Sequence, residues 1–134
     1  MLTIGYEGRT VEEVIDLLRA NAATVLVDVR LTPLSRKPGL SKTRLAGTLA
    51  AAGIGYLHLP ALGNPKENRP AFRAGLGRDV LLARLRSAEG VAAVARVRAL
   101  DAAERPALFC FERDPAGCHR LVVATEAGGT VTHL

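Results

Sequence analysis

Aromatic side chains are few: of 134 residues two are Tyr, three are Phe and none is Trp. A nucleic-acid surface built on stacked bases therefore has little to draw on. Cysteine is equally scarce, and Cys110 and Cys118 alone do not make a secreted disulfide scaffold. No basic segment precedes the first apolar run, so no signal peptide is expected, and cytoplasmic residence is the expectation. Long apolar runs are missing as well. The longest uncharged stretch, Leu45 to Pro65, is interrupted by Gly47, Gly53, Gly55, His58, Pro60 and Gly63, which excludes a membrane helix, and no membrane partner is expected. Lysine is rare too. Only Lys37, Lys42 and Lys66 stand among 18 basic residues, and the rest are arginines, whose planar fork suits phosphate and carboxylate. An Arg-heavy count also fits a biased genomic base composition.

What is present is an ordinary globular composition, 49% hydrophobic and 23% charged, with a net charge of +5. A chain of this length is expected to form a single domain over residues 1–134. Short apolar runs alternate with helical patterns throughout. Strands are expected at Leu2 to Gly5, Thr24 to Val29, Ile54 to Leu59, Ala107 to Phe111 and Thr130 to His133. Helices are expected after the T-x-x-E capping box of Thr10 and Glu13, from Lys42 to Ala52, from Asp79 to Arg86, from Ser87 to Ala103, and from Cys118 to the Gly128-Gly129 pair. Gly90 is a weak point in the fourth of these. The alternation predicts an α/β fold: a Rossmann-like three-layer domain with a mostly parallel sheet of about five strands. Pro60 to Pro70, with three prolines, is expected to be a lid or binding loop.

Right-handed crossovers between parallel strands gather the strand-to-helix loops on one edge of the sheet. Those loops carry Tyr6 and Glu7, then Asp28 and Arg30 with a basic stretch, then His58, then Glu112 through Arg120. The basic stretch holds Arg30, Arg36, Lys37, Lys42 and Arg44 with no acid among them, which favours anion binding over a merely solvated face. In the last loop, free N–H groups at the helix start favour an anion by roughly 0.3–2 kcal/mol. Arg120, bent back, would add a charge-assisted hydrogen bond of roughly 1.5–3 kcal/mol. The same location is expected to lower the Cys118 pKa and make it a candidate nucleophile. Cys110, inside an apolar strand, reads as a small core hydrophobe.

Phosphatase and rhodanese loops also pair a cysteine with an arginine, and the D-V-R ending at Arg30 looks like the rhodanese one. Their spacing of about six is absent, since Cys110 precedes Arg120 by ten positions and Cys118 by two. That mechanism is rejected. Adjacent Cys118 and His119 on a helix are expected to point in different directions, and no C-x-x-C pair exists, so no metal ligand is assigned.

Several ordered blocks carry a resemblance: Ile4-Gly5-Tyr6-Glu7-Gly8-Arg9, Val27-Asp28-Val29-Arg30, Ser35-Arg36-Lys37-Pro38-Gly39, Gly53-Ile54 with Tyr56 and His58-Leu59-Pro60, and Cys110-Phe111-Glu112 with Cys118-His119-Arg120. Together they closely resemble the family called domain of unknown function 488. The resemblance implies a bacterial and archaeal α/β domain without an established reaction.

The expectation drawn from the residues is a domain that binds a phosphorylated ligand, a nucleotide or nucleic-acid end, at the carboxyl edge of its sheet, with hydrolysis or group transfer as the reaction classes. Tyr6, Arg30, Ser35, Arg36, Lys42, Glu112, His119 and Arg120 are the expected ligand-binding residues. Glu7 and His58 are the candidate acid and base, and Cys118 is the candidate nucleophile. No cofactor is expected. The alternatives are a non-catalytic nucleic-acid-binding module and a Cys/His metal-binding protein, and the oligomeric state stays open.

Overall fold

The computed structural model describes all 134 residues. Strands β1 (Leu2–Gly5), β2 (Val25–Asp28), β3 (Gly55–His58), β4 (Pro106–Cys110) and β5 (Thr132–His133) form one sheet in the order β3-β2-β4-β1-β5. Every pairing is parallel. Helices α1 (Val11–Ala20), α2 (Lys42–Ala51), α3 (Arg69–Arg73), α4 (Arg78–Leu85), α5 (Ala88–Ala103) and α6 (His119–Ala127) complete the domain. The three-layer α/β expectation is met, and no helix is long and apolar enough to cross a membrane.

Local chemistry accounts for the element boundaries. Thr10 accepts the Glu13 N–H at 3.2 Å while the Glu13 carboxylate accepts the Thr10 N–H at 2.8 Å, a reciprocal cap that starts α1. Val14, Ile15 and Leu18 then fall on one buried face. β2 and β4 are buried at every position, as strands covered on both faces must be. Leu2, Ile4, Leu26 and Phe109 pack under α1 and α2. Val25, Val27 and Leu108 pack under α4, α5 and α6 on the opposite face. Burying each such side chain stabilises the fold by roughly 1.5–3 kcal/mol.

The connections place the site. From β1 the chain moves through α1 to β2 and through α2 to β3, then returns by way of α4 and α5 to β4 and through α6 to β5. β1 and β4 therefore lie side by side and send their helices to opposite faces. A crevice opens at the carboxyl ends of strands that diverge in this way.

Two expectations change. Pro60 to Pro70, expected as a lid or binding loop, is not irregular: 3-10 turns form at Pro60–Leu62 and Lys66–Asn68, and α3 follows directly. Buried Asn68 donates to the Asn64 side chain and to the Gly77 carbonyl, both at 2.8 Å, which pins the segment down. Gly90 is a packing contact rather than a weak point, because a Cβ there would overlap the backbone of Arg84 and Leu85 at the end of α4.

Candidate functional site

A cleft of about 210 Å³ opens over the carboxyl ends of β1, β2 and β4. Its wall is formed by Tyr6 from the β1 end, Arg30 to Leu34 in part from the β2 end, and Cys110, Phe111 and Glu112 from the β4 end. His119 at the start of α6 closes one side, and Asn64, Arg69 and Arg73 the other.

Asp28 organises the first wall. Fully buried, it accepts from Arg30 Nε at 2.9 Å and Nη2 at 2.7 Å, from the Arg30 backbone N–H at 3.1 Å and from the Tyr56 hydroxyl at 2.7 Å. Arg30 Nη1 donates to the Leu40 carbonyl at 2.9 Å and to the Tyr6 hydroxyl at 3.4 Å. Its guanidinium lies 5.4 Å from the Tyr6 ring centroid and 4.9 Å from that of Phe109. Burial alone would lower the Arg30 pKa, but the Asp28 carboxylate outweighs it and the pKa rises. The Tyr56 pKa is pushed up by burial and by the Asp28 carboxylate, to which its hydroxyl donates. Four of the five guanidinium N–H groups are therefore engaged within the protein, and one is left for a ligand.

The β4–α6 connection supplies the second wall. His119 Nε2 lies 2.9 Å from the Val29 carbonyl. A carbonyl only accepts, so Nε2 carries the proton and Nδ1 keeps its lone pair, which faces Cys110 Sγ at 3.6 Å. The Cys110 thiol donates to Glu112 Oε2 at 3.4 Å. Donor atoms of Cys110, Glu112, Cys118 and His119 all lie within 4.8 Å of one another. Burial would raise the Glu112 pKa, but hydrogen bonds from the Cys118 thiol, its own backbone N–H and the Cys110 thiol hold it below the usual carboxylate range. Burial would likewise lower His119, but Cys118 and the Val29 carbonyl turn the shift upward.

Cys118 corrects the expectation of a lowered pKa. Burial, reinforced by the neighbouring Cys110 thiol, pushes it strongly up. At 1% exposure, desolvation outweighs the helix-start effect. Cys110 is buried as expected, yet it belongs to the polar cluster as well as to the core. The argument that Cys118 and His119 diverge also fails: Cys118 is the N-cap, extended at φ −119° and ψ 138°, so both side chains reach the same point.

The remaining expected residues lie around the cleft rather than on it. Arg120 is fully buried without a carboxylate partner; it donates from Nη1 to the Glu112 carbonyl and from Nη2 to the Arg113 carbonyl at 3.1 Å, while Nε has no partner. It braces the loop instead of reaching a ligand. Gly5 permits this close approach, because a Cβ there would overlap the same Glu112 carbonyl. Glu7 is exposed and accepts the Arg113 N–H at 3.0 Å. His58 Nε2 contacts the Arg30 carbonyl at 2.8 Å. Ser35, Arg36 and Lys42 line a separate shallow groove on the 34–44 segment. There Ser35 accepts the Lys37 N–H at 3.1 Å and its own N–H donates to Ser41 Oγ at 3.0 Å.

Arg69, Arg73, Asn64 and Thr32 line the cleft without having been named as site residues, although Asn64 and Arg69 fall in the 60–70 segment expected to be a lid or binding loop. A second signal was available: Arg69 and Arg73 stand four residues apart, the spacing that puts two side chains on one helical face.

Residues 10–127 match the family described as Domain of unknown function DUF488, which is most of the chain. The chain belongs to that family. No curated protein and no solved structure gives a significant match.

Proposed function

We propose that the cleft binds a phosphorylated ligand, a nucleotide or the end of a nucleic acid. The observation that carries this reading is the pair Arg69 and Arg73. Both are exposed, both border the cleft, and neither takes part in a salt bridge. Arg30 adds one guanidinium N–H from the facing wall, against a single carboxylate, Glu112. Asn64 and Thr32 supply polar atoms beside the arginines. Phe111 and Leu34, 40% and 69% exposed, offer an apolar flank for a sugar or base. A cleft of 210 Å³ is smaller than the ~300–1,000 Å³ of drug-sized sites, which suits a phosphate and its attached sugar better than a whole dinucleotide.

Binding is favoured over hydrolysis or group transfer. Glu7 and His58 are engaged with backbone groups outside the cleft, and the Cys118 thiol is buried and protonated. Calorimetric titration of the full chain with inorganic phosphate, nucleoside monophosphates and a short 5′-phosphorylated oligonucleotide tests the reading. Arg73→Ala is expected to weaken binding about tenfold or more, the equivalent of one charge-assisted hydrogen bond. Unchanged affinity in that variant overturns the reading. Binding only to long nucleic acid, uncompeted by monophosphates and falling linearly in a log–log salt plot, identifies a diffuse surface instead.

A further inference from the structure

We propose that Cys110, Cys118, His119 and Glu112 hold one zinc-class divalent cation at the floor of the cleft. This site stands whether or not the cleft above it takes a phosphorylated ligand. Three observations carry it.

The first is convergence. Cys110 ends β4, Cys118 caps α6 and His119 opens it, and all three are buried, at 4%, 1% and 7% exposure. Their donor atoms and a Glu112 oxygen meet within a 4.8 Å cluster. The second is the size of the cluster. Around a tetrahedral zinc with Zn–S of ~2.3 Å and Zn–N or Zn–O of ~2.0–2.2 Å, the S···N and S···O edges come to about 3.5–3.7 Å. Cys110 Sγ to His119 Nδ1 is 3.6 Å and Cys110 Sγ to Glu112 Oε2 is 3.4 Å. The third is the orientation of the imidazole. A ligating histidine usually donates its second ring N–H to a carbonyl or carboxylate, and His119 Nε2 does so to Val29 at 2.9 Å, leaving the Nδ1 lone pair aimed at the cluster.

Without a cation the arrangement is poorly satisfied. The Glu112 carboxylate receives its side-chain hydrogen bond from the Cys110 thiol at 3.4 Å, and a thiol is a weak donor. A cation replaces it with direct ligation. Two sulfurs and an imidazole select zinc, cobalt or a similar borderline ion over magnesium or calcium, which prefer oxygen. Binding releases the two thiol protons to solvent, His119 keeps its Nε2 proton, and no electron is transferred. Glu112 is the one partly exposed donor and also lines the cleft, so the fourth position is the exchangeable one. Arg120 and Gly5 keep the 112–113 backbone fixed beneath it.

Cobalt titration of the reduced, chelator-stripped full chain provides the test, followed by absorption and by metal analysis. One equivalent per chain is expected, with a thiolate-to-cobalt charge-transfer band and tetrahedral ligand-field bands, and zinc should displace it. Cys118→Ser should weaken binding about 100-fold or more and diminish the thiolate band, since it removes a ligand where outer-shell changes alone cost 10–100-fold. Glu112→Gln should weaken binding less and keep the band. No thiolate band in the folded, reduced wild-type protein overturns the proposal, and that measurement needs no variant to fold. Metal retained at one equivalent by a Cys110→Ser/Cys118→Ser chain also overturns it, because the ion then lies elsewhere. Phosphate binding unaffected by these changes would leave the cleft reading intact while the metal reading stands or falls separately.

Discussion

Two basic regions border the same edge of the sheet and behave differently. The 30–44 segment carries the dense run of cations, yet Arg30 is buried against Asp28, and Lys37 Nζ contacts the carbonyls of Tyr6 at 3.4 Å and Arg9 at 3.1 Å. Arg36 and Lys42 face a separate groove. Helix α3 carries only Arg69 and Arg73, and both border the cleft without an internal partner. Charge density along the chain reports where cations are concentrated. Which of them face the cleft depends on burial and side-chain direction, and here the sparse pair is the one that does.

The sharpest way to break this contrast is Asp28→Ala. It leaves Arg30 buried beside an empty place and should destabilise the domain by about 3–5 kcal/mol, read from chemical denaturation. A loss below 1 kcal/mol would mean that Arg30 is free to move, and the two regions would no longer differ in kind. Arg120→Met is next. Two carbonyls, of Glu112 and Arg113, lose their donor, and each unpaired carbonyl costs roughly 1–3 kcal/mol if it stays dry. Tyr56→Phe removes one hydrogen bond to a buried carboxylate and should cost about 1.5–3 kcal/mol. Smallest of all, Arg36→Ala, Lys42→Ala, Arg69→Ala and Arg73→Ala should each leave stability within about 0.5 kcal/mol. A large loss at Arg69 or Arg73 would give them a structural role and remove the distinction.

Much of this architecture is readable from local chemistry. The capping box at Thr10 and Glu13, the Val-rich β2 and the regular alternation of elements suffice for a parallel sheet, and its crossovers bring Tyr6, Arg30, Glu112 and His119 to one cleft. Side-chain direction is harder to read. Arg30 and Arg120 look alike in sequence as cations at the sheet edge, but the tertiary contacts of Asp28 and of the 112–113 carbonyls hold both inside the protein. α3 is five residues long and lies just after a proline-rich stretch, too short for helical periodicity to register. The cysteine cluster depended on one backbone conformation: an extended Cys118 beside a helical His119, which no spacing rule anticipates. Cys110 was hidden by its strand, where an apolar environment and a ligating role leave the same sequence pattern.

The most direct test of the central claim sets the two regions against each other in one titration. Nucleoside monophosphate binding is measured calorimetrically for the wild-type chain, for Arg36→Ala/Lys42→Ala and for Arg69→Ala/Arg73→Ala. The contrast predicts near wild-type affinity in the first variant and a loss of about 100-fold in the second, from two charge-assisted contacts. The reverse pattern, loss in the 36/42 variant and retention in the 69/73 variant, would contradict it.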